Sequence, residues 1–106
     1  MQTFEEFYDK LRKNNSVKIV EGKKDKQALE SLEINNIHYL KGNPLYKIVE
    51  LFENEKEIIL LTDLDTEGRK LFSVLSKQFQ KKRVKINNKF REFLFKNKVS
   101  HIESLK

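Results

Sequence analysis

The run from Glu57 to Thr62 holds four consecutive large aliphatics, Ile58, Ile59, Leu60 and Leu61. It is far too short for the ~20 apolar residues of a membrane span. Continuous rather than alternating apolar character is the pattern of a strand buried on both faces. A sheet of that kind needs a layer of helices on each side. The rest of the chain supplies them at the right intervals. Phe4, Phe7, Tyr8 and Leu11 recur at helical spacing, predicting a helix over 3–13 with Thr3 as N-cap and Glu5 and Glu6 in its first turn. Val17 to Val20 reads as a short β-branched strand, 24–33 as a helix, and Ile37 to Leu40 as a second strand. Pro44 at the N1 position opens a helix through Leu45, Ile48, Val49 and Phe52. After the central strand and an acidic loop from Asp63 to Gly68 come a long helix through Phe79, a fourth strand at Val84 to Ile86, and a last helix headed by Phe90. Strands alternating with helices predict an α/β fold around about four mostly parallel strands, with helices on both faces.

At 106 residues the chain fits one domain. Its expected parts are an N-terminal helix over 1–16, a core over 17–86 and a basic helical extension over 87–106. Eight Phe and three Tyr supply core side chains, which argues against wholesale disorder. With no Cys, thiolate metal sites, disulfides and cysteine nucleophiles are excluded. Acids at Glu5 and Glu6 replace the basic start of a signal peptide, so a soluble cytoplasmic protein with no membrane contact is expected. Charge is unevenly placed. Residues 1–67 carry 10 Lys and Arg against 14 Asp and Glu, whereas 68–106 carry 12 against Glu92 and Glu103 alone. The basic C-terminal third suggests a polyanion partner, either RNA or DNA. Arg69, Lys70, Lys81, Lys82, Arg83 and Arg91 are the candidate phosphate contacts. Phe and Tyr fall mostly on apolar faces, so no stacking platform is expected.

Two places set acids directly after a buried strand: Glu21-Gly22-Lys23 after Val17 to Val20, and Asp63-Leu64-Asp65-Thr66-Glu67-Gly68 after Ile58 to Thr62. In a parallel sheet both fall at the carboxyl edge, where such sheets bind ligands. Asp63 and Asp65 are two apart, so on extended backbone both side chains face one way. Same-facing carboxylates repel unless a cation lies between them, and hard oxygen donors suit Mg²⁺ or Mn²⁺. The glycines are expected to allow tight turns into the next helix. Against this stands a plainer reading, in which acids after a strand simply cap helices. Lys23 could hold a phosphate oxygen or simply be solvated, and Asp25 reads as a helix-start acid. His38 and His101 have no partner at ligand spacing and read as structural. An EF-hand fails because its twelfth position would be Val74. A haloacid-dehalogenase-type Asp-x-Asp motif lacks the further downstream acids.

Val20-Glu21-Gly22-Lys23-x-Asp25-x-x-Ala28-Leu29, followed by Leu61-Thr62-Asp63-Leu64-Asp65-x-x-Gly68, resembles a Toprim domain. Among its forms the chain is most similar to the small stand-alone Toprim proteins of archaea. Arg69 and Leu71, the stretch Asn87 to Arg91, and Val99 to Leu105 extend the likeness. The resemblance implies a compact Rossmann-like fold with the first and third strands adjacent. It implies Glu21 as general acid or base in phosphoryl transfer, with Lys23 supporting, and Asp63 and Asp65 as Mg²⁺ ligands. Glu67 matches a further acid found in type IA topoisomerases. Strand passage and priming are not expected, since they need modules beyond these residues. The implied activity is a metal-dependent nuclease or RNA-processing enzyme. The alternative is a non-catalytic module that binds nucleic acid and is completed by a protein partner.

Overall fold

The computed structural model describes residues 1–105. Ten elements follow in order: α1 (Phe4–Lys13), β1 (Val17–Val20), α2 (Lys23–Ser31), β2 (Ile37–Tyr39), α3 (Leu45–Phe52), β3 (Glu57–Leu60), α4 (Thr66–Lys81), β4 (Lys85–Asn87), α5 (Lys89–Lys96) and a 3₁₀ turn at Ile102–Ser104. The four strands form one sheet in the order β2-β1-β3-β4, parallel throughout. Lys18 lies opposite Ile37 on one side and Ile59 on the other, which fixes the central register.

The aliphatic run divides as a pleated strand must. Ile59 and Leu61 join Val20, Phe7, Leu11, Leu29, Phe90, Phe93 and Leu94 in a core beneath α1, α2 and α5. Ile58 and Leu60 join Val17, Ile19, Ile48, Val49, Phe52, Leu75 and Phe79 beneath α3 and α4. Residues 87–105, expected as an extension, are knitted into this body. Asn87 belongs to β4, and Phe90, Phe93, Leu94, Ile102 and Leu105 are all core side chains. Thr3 caps α1 as expected, its hydroxyl accepting from Glu6 N at 3.1 Å.

Three local expectations are corrected. Pro44 is the N-cap of α3 rather than its first helical residue, with ψ of 144° holding it in the extended region. The acidic loop is shorter than read, because α4 already begins at Thr66 and takes Glu67 and Gly68 into its first turn. Gly22 is likewise no tight turn. It is an extended N-cap at φ −135°.

The chain leaves β1 towards β2 and leaves β3 towards β4, in opposite directions across the sheet. The carboxyl ends of β1 and β3 therefore flank the switch point, where a crevice opens between diverging connections. Glu21 follows β1 and Asp63 follows β3, so the topology alone brings them together.

Candidate metal centre at the carboxyl edge

Glu21 Oε2 accepts a hydrogen bond from the backbone N of Asp63 at 2.6 Å, across 42 residues of sequence. Burial pushes the Glu21 carboxyl above its ordinary range; the Asp63 N–H pulls it back, and the charges of Asp63, Asp65 and Asp25 push it up again. A carboxyl so placed holds a proton more readily than an exposed one.

Each aspartate has one oxygen committed to backbone. Asp63 Oδ1 accepts from Ile102 N at 2.9 Å. Asp65 is the N-cap of α4, its Oδ1 accepting from Gly68 N at 2.8 Å. The capping reading and the ligand reading are thus compatible, since capping uses only one oxygen. Asp65 Oδ2 lies 3.4 Å from His101 Nε2. Asp63, Asp65 and His101 each offer one ligand atom, all within 4.8 Å of one another. Two ligands opposite each other on one Mg²⁺ would be roughly 4 Å apart, so small adjustments would bring these groups onto one ion. Oxygen donors with free lone pairs fit Mg²⁺, and an imidazole beside them is a donor that Mn²⁺ also takes.

The loop is held from several sides. Gly68 has no room for a side chain, because a Cβ there would lie 2.0 Å from the carbonyl oxygen of Asp63. This close approach, and not a turn, is why glycine stands there. The Thr62 hydroxyl donates to Gly68 O at 2.9 Å. The Arg91 guanidinium donates to Thr62 O at 3.2 Å and to Asp63 O at 3.0 Å. Leu64 N donates to Ser100 O at 2.8 Å. The segment after α5 thereby forms a wall of the site.

The predicted residues separate into groups. Glu21, Asp63 and Asp65 come together, and Arg91 reaches the same loop. Glu67 lies outside the Asp63–Asp65–His101 group, because helix α4 carries it to the exposed rim. It lines a cleft of about 440 Å³ with Glu21, Asp25, Asn43 and Leu71. Lys23 is exposed at the first position of α2. Asp25 is a helix-start acid as expected, accepting from Gly22 N at 3.0 Å. Arg69 and Lys70 stand exposed in the first half of α4, where Arg69 Nε donates to Leu64 O at 3.1 Å. Lys81, Lys82 and Arg83 do not join them. They end α4, a helix of 16 residues and so about 24 Å long, at the opposite edge of the sheet. There Lys82 pairs with Glu53 at 3.7 Å. His101 is the residue the sequence reading missed, since only the fold brings it to Asp65.

The sheet is thus doubly wound and parallel, with acids after its two central strands. A family model described as the Toprim domain matches residues 16–94, and the chain belongs to that family. It is 37% identical over 93 residues to the UPF0292 protein of Methanocaldococcus jannaschii, covering 82% of this chain and 73% of that one. It is 31% identical over 106 residues to the UPF0292 protein of Pyrococcus abyssi, covering 96% and 80%. A solved structure of a protein from Aquifex aeolicus superposes with a TM-score of 0.94 at 31% identity, over 99% of this chain and 100% of that one. The expectation of a small archaeal-type Toprim protein with a Rossmann-like fold holds. Membership implies a metal-binding role connected with nucleic acid. No helix among the described residues is long and apolar enough to cross a membrane.

Proposed function

We propose that this protein is a divalent-metal-dependent phosphodiester enzyme acting on nucleic acid, as a nuclease or RNA-processing activity. The observation that carries this reading is the 2.6 Å bond between Glu21 and the Asp63 backbone, which sets a third carboxyl against the aspartate pair. Asp63 and Asp65 would hold Mg²⁺ or Mn²⁺, with His101 beside them. Such an ion would supply positive charge against the charge developing on a phosphodiester. Glu21, with its carboxyl raised by burial, would give a proton to a leaving oxygen or take one from water. Arg91, bonded to two loop carbonyls, keeps Asp63 in place. Arg69 and Lys70 are the basic side chains best placed to meet phosphates near the acids. Lys10, Lys13, Lys89 and Lys96 line a separate groove of about 680 Å³ between α1 and α5, which supports a polyanion partner. Lys23 is assigned only an outlying role in binding.

The second reading is a binding module completed by another protein. It draws on Tyr46 and Leu51, which stand 59% and 69% exposed on α3 and offer an apolar contact. A cleavage assay separates the two. Labelled structured RNA, single-stranded DNA and duplex DNA are incubated with Mg²⁺ or Mn²⁺ and either wild type or Glu21→Gln. Metal-dependent cleavage lost about 10²-fold or more in the variant supports the enzyme. Salt-sensitive binding with no turnover in either protein supports the module.

A further inference from the structure

Beside the acid loop, Leu64, Arg69, Phe72, Asn88, Arg91 and Phe95 line a small cleft of about 240 Å³ together with one acid, Glu92. Leu64 sits between the two aspartates in sequence, so this cleft adjoins the metal centre. Phe95 is 64% exposed, an unusual position for a large ring on a chain this rich in charge. The Arg91 guanidinium lies over the Phe72 ring, 4.2 Å from its centroid, and is locked there by the Thr62 and Asp63 carbonyls. Neither Arg69 nor Arg91 forms an ion pair with a carboxylate among the described residues. The cleft therefore offers an exposed aromatic ring at Phe95, a guanidinium stacked on Phe72, an amide at Asn88 and two arginines against one lining acid, Glu92. Its volume is below that of a drug-sized pocket and suits a single ring system.

We propose that this cleft takes one unpaired nucleobase of a single-stranded nucleic acid whose adjoining phosphate faces Asp63 and Asp65. The inference rests on the reading of the partner as nucleic acid and adds which form of it is bound. A base in a duplex is already stacked and paired, so it is not available to Phe95. A free base has a π-face for the phenyl ring and for guanidinium, and its phosphates meet Arg69. The same set would serve an apolar protein segment poorly, because it would desolvate two arginine charges whose bonds are to backbone carbonyls and not to a carboxylate.

The test uses the full chain on a Glu21→Gln background with Ca²⁺, so that a hard cation can stand between the aspartates and the phosphate while binding is read without cleavage. A single-stranded oligonucleotide carrying one 2-aminopurine, and the same strand in a duplex, are titrated with this parent and with Phe95→Ala, Phe95→Tyr and Lys81→Glu/Lys82→Glu made in it. Phe95 is exposed, so its loss should leave thermal melting unchanged. The expected result is quenching of 2-aminopurine by the parent and Phe95→Tyr, with tighter binding of the single strand than the duplex. Phe95→Ala should lose the quenching and bind roughly tenfold more weakly, with the same dependence on salt. Lys81→Glu/Lys82→Glu, which reverses charge at the far end of α4, should weaken binding while the quenching at saturation stays that of the parent. Equal quenching and affinity in Phe95→Ala overturns the proposal, as does equal binding of the duplex. If Phe95→Ala changes only self-association, the cleft is a protein contact and the proposal fails. Absence of binding to any oligonucleotide sinks this inference together with the nucleic-acid reading. A Phe95-dependent single-strand complex that the chain with Glu21 intact never turns over in Mg²⁺ or Mn²⁺ upholds it and sinks only the enzyme.

Discussion

The two edges of the sheet each hold charge against a buried strand, and they treat it in opposite ways. At the amino edge the side chain of Lys18 is 1% exposed, and its ammonium donates to Asn14 O at 2.6 Å, Ser16 O at 3.1 Å and Asn35 O at 3.0 Å. An ammonium has three donors, and all three are used. Burial still lowers the pKa of Lys18, yet no bonding capacity is left over for a ligand. At the carboxyl edge Asp63 and Asp65 each have one oxygen bonded to backbone, Asp65 Oδ2 lies 3.4 Å from His101, and the three residues offer ligand atoms within 4.8 Å of one another. The lysine closes the ends of α1, β1 and β2 into one structure. The aspartates are held in place but left unsaturated, which is the condition a bound cation would relieve.

That contrast can be broken at several points, the largest effect coming from the glycine behind the aspartates. Gly68→Ala drives a Cβ into the Asp63 carbonyl and should cost about 3 kcal/mol of stability, read by urea unfolding. It should also displace Asp63 and abolish any melting shift caused by Mn²⁺. A variant that unfolds like wild type would mean the loop is not held as tightly as described.

Lys18→Met keeps the stem but leaves three carbonyls without their donors. It should cost about 2 kcal/mol while leaving the Mn²⁺ response intact. Loss of the metal response with Lys18 would join the two edges that the account separates.

The smallest effect belongs to Asp25, which is 7% exposed. Burial raises its carboxyl above 3.8, the Gly22 N–H opposes this, and the charges of Asp63 and Glu103 add to the rise. The folded chain therefore holds this proton to a higher pH than the unfolded chain does. Stability present below that window is lost as pH rises through it. Asp25→Asn, which can still accept from Gly22, should flatten this decline in unfolding free energy measured just above pH 3.8. An unchanged pH profile would remove Asp25 as its source.

Much of this was legible before the fold was known, for definite reasons. Ile58 to Leu61 is an aliphatic run with the pattern of a buried strand, Val17, Ile19 and Val20 give a β-branched one interrupted by Lys18, and acids ending two parallel strands must share an edge. Glu21 and Asp63 could therefore be paired from the order of elements. His101, the Arg91 clasp and the wall from Ser100 to Ile102 were not legible, because each depends on contacts spanning 28 to 39 residues. Nothing near His101 in sequence announces Asp65. The distance of Lys81 to Arg83 from the aspartates was not legible either, because it is the 16-residue helix α4 that carries them to the far edge. Phe and Tyr were expected mostly on apolar faces, and Phe95 is an exception that stands exposed.

The central claim is that Asp63 and Asp65 hold a divalent cation, and the most direct measurement is titration of Mn²⁺ followed by electron paramagnetic resonance. Wild type should remove free Mn²⁺ signal saturably, with Mg²⁺ competing. Asp63→Asn/Asp65→Asn should bind none, and with the repulsion gone its melting temperature without metal should equal or exceed that of wild type. Mn²⁺ uptake unchanged in the double variant would contradict the account and return both aspartates to the role of helix caps.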